Sequence, residues 1–292
     1  VVQGDSAAAA TQEAARSTLE AATRRLARPT LQVSDSLSQA AAAAAADTVR
    51  ALAEAVAARG TAHLALTGGS GGMALADHLA QELAGEPIQV REAVHLWFGD
   101  ERFVPAADPE RNDLLAAPLV RVGVLDSQVH RLAGPEVVSS LESSTDVLMQ
   151  DLKAHRLDRD PFDVIHLGLG PDAHVCSLFP GHPAVLTTGR PAVAVRDSPK
   201  PPPQRCSLTF EVLHRARHVM VVVGGQGKAE AVTRSLGPIS TTGSAADDAV
   251  DAVDAVDIVT APASCARGEQ TTWYLDVEAA SGLGGVQPGT RA

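Results

Sequence analysis

Aromatic residues make up only 3% of the 292 positions, so the core has to be filled mainly by Ala, Val and Leu. The chain has three cysteines, Cys176, Cys206 and Cys265, an odd number, widely spaced and without a C-x-x-C pair. That excludes a disulfide framework and a thiolate zinc site, and fits a reducing, cytoplasmic setting. Basic residues are in deficit, with 24 Lys and Arg against 35 Asp and Glu, for a net charge of −11. Nucleic acid and anionic membrane surfaces are therefore poor partners, and an anionic ligand needs a basic site built locally. No apolar run approaches the length of a membrane span, and the amino-terminal stretch lacks the hydrophobic centre of a secretion signal. The ten histidines are scattered, with no H-E-x-x-H spacing, so no metal centre is expected.

What is present is alternation. Apolar, β-branched runs at 30–33, 63–67, 94–98, 164–167, 192–195, 206–210, 219–223 and 271–275 are separated by segments that are mostly helical in spacing. This pattern predicts an α/β fold: three α/β/α layers around a mostly parallel, Rossmann-like open sheet. Ser36-Leu-Ser-Gln39 resembles a capping box that opens an Ala-rich helix to about Ala58, and Gly60 falls where a C-cap belongs. Further helices are expected over 73–83, 137–152 and 229–236, with a helical turn from Glu211 to Ala216. Residues 29–292 read as one domain. Residues 1–28, low in large apolar side chains, are expected to be a poorly ordered extension outside the core. The triplet D-A-V repeats between Asp248 and Asp257, a period that suits neither helix nor strand, so 247–260 reads as a surface insertion.

Open α/β sheets bind ligands at the carboxyl ends of their strands, and here those ends carry the chemistry. The strand to Thr67 runs into Gly68-Gly69-Ser70-Gly71-Gly72 and then a helix, an arrangement that offers backbone N–H groups to a phosphate. The strand at 94–98 ends in Gly99-Asp100-Glu101-Arg102, with Asp108, Arg111 and Asn112 soon after. The strand at 164–167 is broken by Gly168, Gly170 and Pro171, which deliver Asp172 and His174. A proline-stiffened loop, 197–205, presents Lys200 and Arg205, and the strand at 219–223 leads to Lys228. Glycine amides, Arg102, Arg205 and Lys228 beside one Asp/His pair describe a pocket for a phosphorylated small molecule with one general base.

Competing motifs are weaker. Gly68-x-Ser70-x-Gly72 matches a nucleophile elbow, with Asp100 or Asp172 and then His174 in serine-hydrolase order, but a run of glycines better suits backbone contact with a bulky anion. Gly168-x-Gly170-x-x-Ala173 matches a dinucleotide fingerprint, yet it comes late and contains Pro171. Gly224 to Lys228 lacks the Ser/Thr of a P-loop. Cys176, two residues from His174, raises a thiol nucleophile, although free Cys is more often a small buried hydrophobe. A non-catalytic sugar-phosphate binder would have no need of the Asp172/His174 pair.

These motifs together resemble a family. GLGPDAHVCSLFPGH over 168–182 is similar to the G-x-G-x-D-G-H-x-A-S-L-F-P signature of 6-phosphogluconolactonases. LTGGS (66–70), WFGDERFVP (97–105), the D-x-x-R-N spacing (108–112), PKPPPQRCSLT (199–209), G-x-x-K-A (225–229) and WYLD (273–276) match in the same order. The resemblance spans about Pro29 to Ala280. The sister glucosamine-6-phosphate deaminases follow their D-G-H with an F-N-E-P-type run, whereas Ser177-Leu178-Phe179-Pro180 points to the lactonases.

The resemblance implies hydrolysis of 6-phospho-D-glucono-1,5-lactone to 6-phosphogluconate in the oxidative pentose phosphate pathway, without metal or organic cofactor, by a monomer or homodimer. It implies His174 as general base, Asp172 orienting the histidine or the water, and Arg102 at the oxyanion or the sugar hydroxyls. Asp100 would fix Arg102 or bind hydroxyls. Thr67, Gly68, Gly69, Ser70, Asn112, Arg205 and Lys228 are expected around the substrate and its phosphate. Two departures stand out. Ala173 replaces the family's Gly, so the turn before His174 is expected to avoid a glycine-only conformation, and Gly71-Gly72 replace the common Thr-Pro.

Overall fold

The computed structural model describes residues 2–237, 256–284 and 288–289, with side chains from residue 8 onward. The helix α1 (Val2–Arg25) leads into strand β1 (Thr30–Ser34), helix α2 (Leu37–Arg59) and strand β2 (Ala62–Leu66). Then follow α3 (Gly69–Ala84), α4 (Ile88–Arg91), β3 (Val94–Phe98), β4 (Asp100–Arg102), α5 (Ala117–Arg121) and α6 (Leu141–Ala154). The second half comprises β5 (Val164–Leu167), β6 (Ala192–Val195), β7 (Arg205–Leu208), α7 (Phe210–Arg215), β8 (His218–Val223), α8 (Ala229–Leu236) and β9 (Gln270–Asp276).

Six strands form a parallel sheet in the order β1-β9-β8-β5-β2-β3. A smaller antiparallel sheet, β4-β7-β6, stands beside it and converts the expected loop at 100–102 into a strand. From β2 the chain moves to one side, to β3, and from β5 to the other, to β8. The crevice between the carboxyl ends of β2 and β5 is therefore the topological switch point, where such sheets bind ligands.

Strand side chains alternate between two core clusters, as a sheet covered on both faces requires. Val219, Val221 and Val223 join the cluster that contains Leu19 and Phe162, whereas Met220 and Val222 join the one that contains Leu52 and Leu79. Alanine does much of the filling: α2 buries Ala40, Ala41, Ala44, Ala45 and Ala55, which lets it lie close on the sheet. Its amino end is closed by Ser36, whose Oγ accepts the Gln39 N–H at 3.3 Å, while Gln39 Oε1 accepts from the Asp35 N–H at 3.0 Å. Gly60, at φ +78, closes the other end.

The amino-terminal segment departs from expectation. Residues 2–25 are helical, and Leu19 at 2% exposure packs in the main core. Thr23 Oγ1 lies 3.1 Å from His214 Nε2 on α7, and Glu20 Oε1 accepts the Ile258 N–H at 3.3 Å. One leucine and several polar contacts, among them Arg24 Nη2 donating to the Val256 carbonyl at 3.3 Å, dock α1, too little apolar area to show in composition. Of the expected insertion, residues 247–255 and most of the D-A-V repeat lie outside the described residues, while Val256 and Ile258 are buried. Helix α6 starts at Leu141 rather than 137, because Ser140 caps it and residues 134–138 form a turn. Strand β7 ends at Leu208, where Thr209 becomes the N-cap of α7.

Candidate active site

The glycine run after β2 divides into two jobs. A Cβ on Gly72 would sit 1.8 Å from the Thr67 carbonyl oxygen, and one on Gly71 would sit 2.2 Å from the Val222 carbonyl oxygen. These two are glycines because α3 presses on β2 and β8. Gly68, Gly69 and Ser70 line the cavity together with Gly71, and among the described residues no side-chain cap closes α3 at Gly68. Its N–H groups are thus free for an anion. Thr67 supports the arrangement from below, accepting the Gly168 N–H on its Oγ1 at 3.1 Å and so joining the β2 and β5 loops.

The β5 loop presents the dyad. His174 Nδ1 lies 2.5 Å from Asp172 Oδ1, with Lys200 Nζ at 3.5 Å from the same oxygen. Burial alone works to raise the Asp172 pKa. The His174 hydrogen bond and the His174 and Lys200 charges outweigh it and hold the carboxyl well below the usual range. An ionised Asp172 accepts the hydrogen bond of His174 Nδ1–H, which leaves the Nε2 lone pair for chemistry. The geometry requires Gly170: a Cβ there would lie 1.9 Å from His174 Nδ1 and 2.4 Å from Asp172 Oδ1. Ala173 does not avoid the glycine-favouring region as expected. It sits at φ +68, fully buried, with its carbonyl accepting the Ala263 N–H at 2.9 Å. Those core contacts hold an L residue in the left-handed well. His174 also lies against Phe179, ring centroids 4.5 Å apart.

Asp100 is a buried hub at the start of β4. Ser177 Oγ donates to its Oδ2 at 2.5 Å and Asn112 Nδ2 to its backbone carbonyl at 2.8 Å, while Arg205 Nη1 stands 3.8 Å from Oδ2. Its ionic partner is thus Arg205, not Arg102 as the sequence suggested. Arg102 lines the cavity while its Nη1 donates to the Glu110 carbonyl. Arg205 Nη2 donates to the Lys200 and Pro201 carbonyls at 3.0 and 2.9 Å, and Nε to the Pro202 carbonyl at 3.0 Å. Its guanidinium lies 5.6 Å from the Phe179 ring centroid. Much of Arg205 is therefore spent holding the loop that offers Lys200. Lys228 Nζ donates to the Leu169 carbonyl at 2.6 Å, and burial followed by repulsion from Lys200 lowers its pKa.

A cavity of about 250 Å³ collects these groups. Thr67, Gly68, Gly69, Ser70, Asp100, Arg102, Asn112, His174, Arg205 and Lys228 all line it, and Asp172 stands behind His174. Lys200 also lines it, a residue whose place in the 197–205 loop is plain in the sequence but whose role is not. Four cationic side chains against one lining carboxylate make the cavity locally basic on an acidic protein. Ser70 is exposed, and among the described residues its hydroxyl bonds to no base, so the elbow triad does not form. Cys176 is buried, and burial followed by the Asp100 charge pushes its thiol well above the ordinary value, which removes it as a nucleophile. None of the described helices is long and apolar enough to cross a membrane.

Residues 35–273 match the family described as glucosamine-6-phosphate isomerases/6-phosphogluconolactonase. A 6-phosphogluconolactonase of Mycobacterium tuberculosis is 42% identical over 250 residues, covering 83% of this chain and 93% of the relative. One from Streptomyces coelicolor is 39% identical over 258 residues, covering 83% of this chain and 90% of the relative. The solved structure of 6-phosphogluconolactonase from Trypanosoma cruzi shares the fold, with a TM-score of 0.73 at 24% identity, over 89% of this chain and 98% of that one.

Proposed function

The chain belongs to the glucosamine-6-phosphate isomerase/6-phosphogluconolactonase family, and on that premise we propose that it hydrolyses 6-phospho-D-glucono-1,5-lactone to 6-phosphogluconate with His174 as general base. The observation that carries this reading is the Asp172–His174 dyad, 2.5 Å apart, with His174 on the wall of a basic cavity that also holds the uncapped start of α3. His174 Nε2 takes a proton from water as the water oxygen attacks the lactone carbonyl carbon. The carbonyl becomes an oxyanion, which Arg102, a cation on the cavity wall that is not among the phosphate contacts, stabilises. When the tetrahedral intermediate collapses, the bond to the ring oxygen breaks and the imidazolium returns its proton to that oxygen. The acid product then ionises in solution.

The phosphate rests on the Gly68–Ser70 amides and the Lys200 and Lys228 ammonium groups, point charges suited to a dianion. Arg205 supports Lys200 from beneath. A lactone is an activated ester, so these groups suffice chemically without a cofactor. The oxidative pentose phosphate pathway supplies and consumes these two compounds.

The test is turnover of freshly generated lactone by His174→Ala, with spontaneous hydrolysis subtracted and glucosamine-6-phosphate as control substrate. Loss of a general base lowers the rate on the order of 10²–10⁴-fold. An unchanged rate, or turnover of the amino sugar instead, would overturn the proposal.

A further inference from the structure

Four histidines far apart in sequence meet on the α6 side of the sheet, away from the catalytic crevice. His63 and His95 are in register on β2 and β3 with ring centroids 4.9 Å apart. His130 is brought alongside by its N–H, which donates to the Leu96 carbonyl at 2.8 Å, and its ring stacks on Trp97 at 3.6 Å. His155, at the carboxyl end of α6, lies 4.6 Å from the His130 ring and 5.1 Å from that of His95. One ring nitrogen from each of His95, His130 and His155 falls within 4.8 Å of the other two. A tetrahedral cation about 2.0–2.1 Å from each ligand needs nitrogens about 3.4 Å apart, which small side-chain rotations supply.

The surrounding groups favour a cation. Asp151 Oδ2 lies 2.6 Å from His130 Nδ1, and its Oδ1 lies 3.3 Å from His155 Nδ1. Asp151 thus supports the outer nitrogen of two imidazoles, His155 Nδ1 also lying 3.1 Å from its backbone carbonyl, the usual support for metal-bound histidine; His130 Nε2 lies 2.9 Å from His95 Nδ1, a hydrogen bond that a bound cation replaces. For His95 the partner is Gln128, whose Nε2 lies 3.5 Å from His95 Nε2 and whose buried Oε1 has no hydrogen-bond partner. Turning that amide over lets Oε1 accept a proton from His95 Nε2, which frees Nδ1.

We propose that His95, His130 and His155 form a site for one borderline first-row divalent cation, zinc foremost, with its fourth position open to water. An all-imidazole set selects Zn²⁺, Co²⁺, Ni²⁺ or Cu²⁺ over the oxygen-seeking Mg²⁺ and Ca²⁺. His63, on the same strand face, lies four residues before Thr67, about 13 Å along β2, so the site is separate from substrate. A bound cation ties β3, the 126–130 segment and α6 together, and its role is to stabilise the fold.

The test is zinc titration of the metal-stripped full chain by calorimetry, with Co²⁺ absorption and Trp97 quenching as geometric readouts. The expected result is one cation per chain at micromolar affinity or better, binding abolished in His155→Gln, and binding about 10–100-fold weaker in Asp151→Asn. At a zinc concentration about 100-fold above Kd, Tm rises in the parent and stays put in His155→Gln. His155 is 29% exposed, so that variant folds even where His95→Gln does not. Lactone turnover by His155→Gln is unchanged, which separates this test from that of the catalytic reading. Failure to take up zinc, uptake that survives His155→Gln, or uptake lost instead in His174→Ala overturns the proposal and leaves the cluster as a hydrogen-bonded stack.

Discussion

Gly170→Ala isolates the geometry of the dyad from the stability of the fold. The added methyl would start 1.9 Å from His174 Nδ1 and 2.4 Å from Asp172 Oδ1, whereas ordinary contact begins near 3.4 Å. The imidazole must therefore retreat by about 1.5 Å, and both atoms in the way are side-chain ends that are able to move. Moving them breaks the 2.5 Å Asp172–His174 bond and swings the base away from the water it activates. A 1 Å misplacement of catalytic groups costs about 10²-fold, and full loss of the base about 10²–10⁴-fold. The expected kcat is thus lower by about 10²-fold or more, with a smaller rise in KM, because among the phosphate contacts Lys200, 3.5 Å from Asp172 Oδ1, borders the displaced dyad. The assay is initial-rate lactone hydrolysis corrected for the spontaneous reaction, beside urea denaturation to confirm the fold. Wild-type kcat in a folded Gly170→Ala protein would refute the assignment of His174 and its dependence on Asp172.

Other perturbations probe the scaffold. Ser177→Ala removes a 2.5 Å bond to the buried Asp100 carboxylate and should cost about 1.5–3 kcal/mol in urea denaturation; a change within experimental error removes Asp100 as a hub. Ala173→Gly relieves about 1–2 kcal/mol of left-handed strain but forfeits about 0.8 kcal/mol of methyl burial and some backbone entropy. Stability should therefore move by less than about 1 kcal/mol, and a loss above about 2 kcal/mol contradicts the strain. Burial brings His166 down to about 3, so below pH 6.5 the unfolded chain holds more protons than the native one. Stability then falls as pH drops from 6.5 toward 3, by at most about 1.4 kcal/mol per unit from this group. His166→Asn should flatten that slope in pH-dependent melts, and identical slopes exclude His166 as a contributor.

The strand ends were readable because each packs its chemistry into a few consecutive residues: Gly68 to Ser70, Asp100 to Arg102, and Asp172 to His174. The parallel topology then brings short motifs to one edge with no long-range information needed beyond strand order. Where function depends on residues far apart, the linear order conceals it. His95, His130 and His155 meet only because the 126–130 turn returns to β3 and α6 ends over it, a juxtaposition no spacing rule reports. The division of labour between Arg205 and Lys200 was also hidden, since both cations stand in one loop and only its three-carbonyl fold shows which is spent on scaffold. The docking of α1 does not show in composition because Leu19 is, among the described residues, its one large apolar anchor in the core.

Phe179, at 1% exposure, touches both sides of this machinery: the His174 ring and the Arg205 guanidinium. In a close-packed interior such a ring transmits displacement rather than absorbing it. The base and the loop that carries Lys200 therefore share one bearing, and neither shifts without loading the other. Seating a phosphate against Lys200 and aligning the imidazole for attack become a single mechanical event.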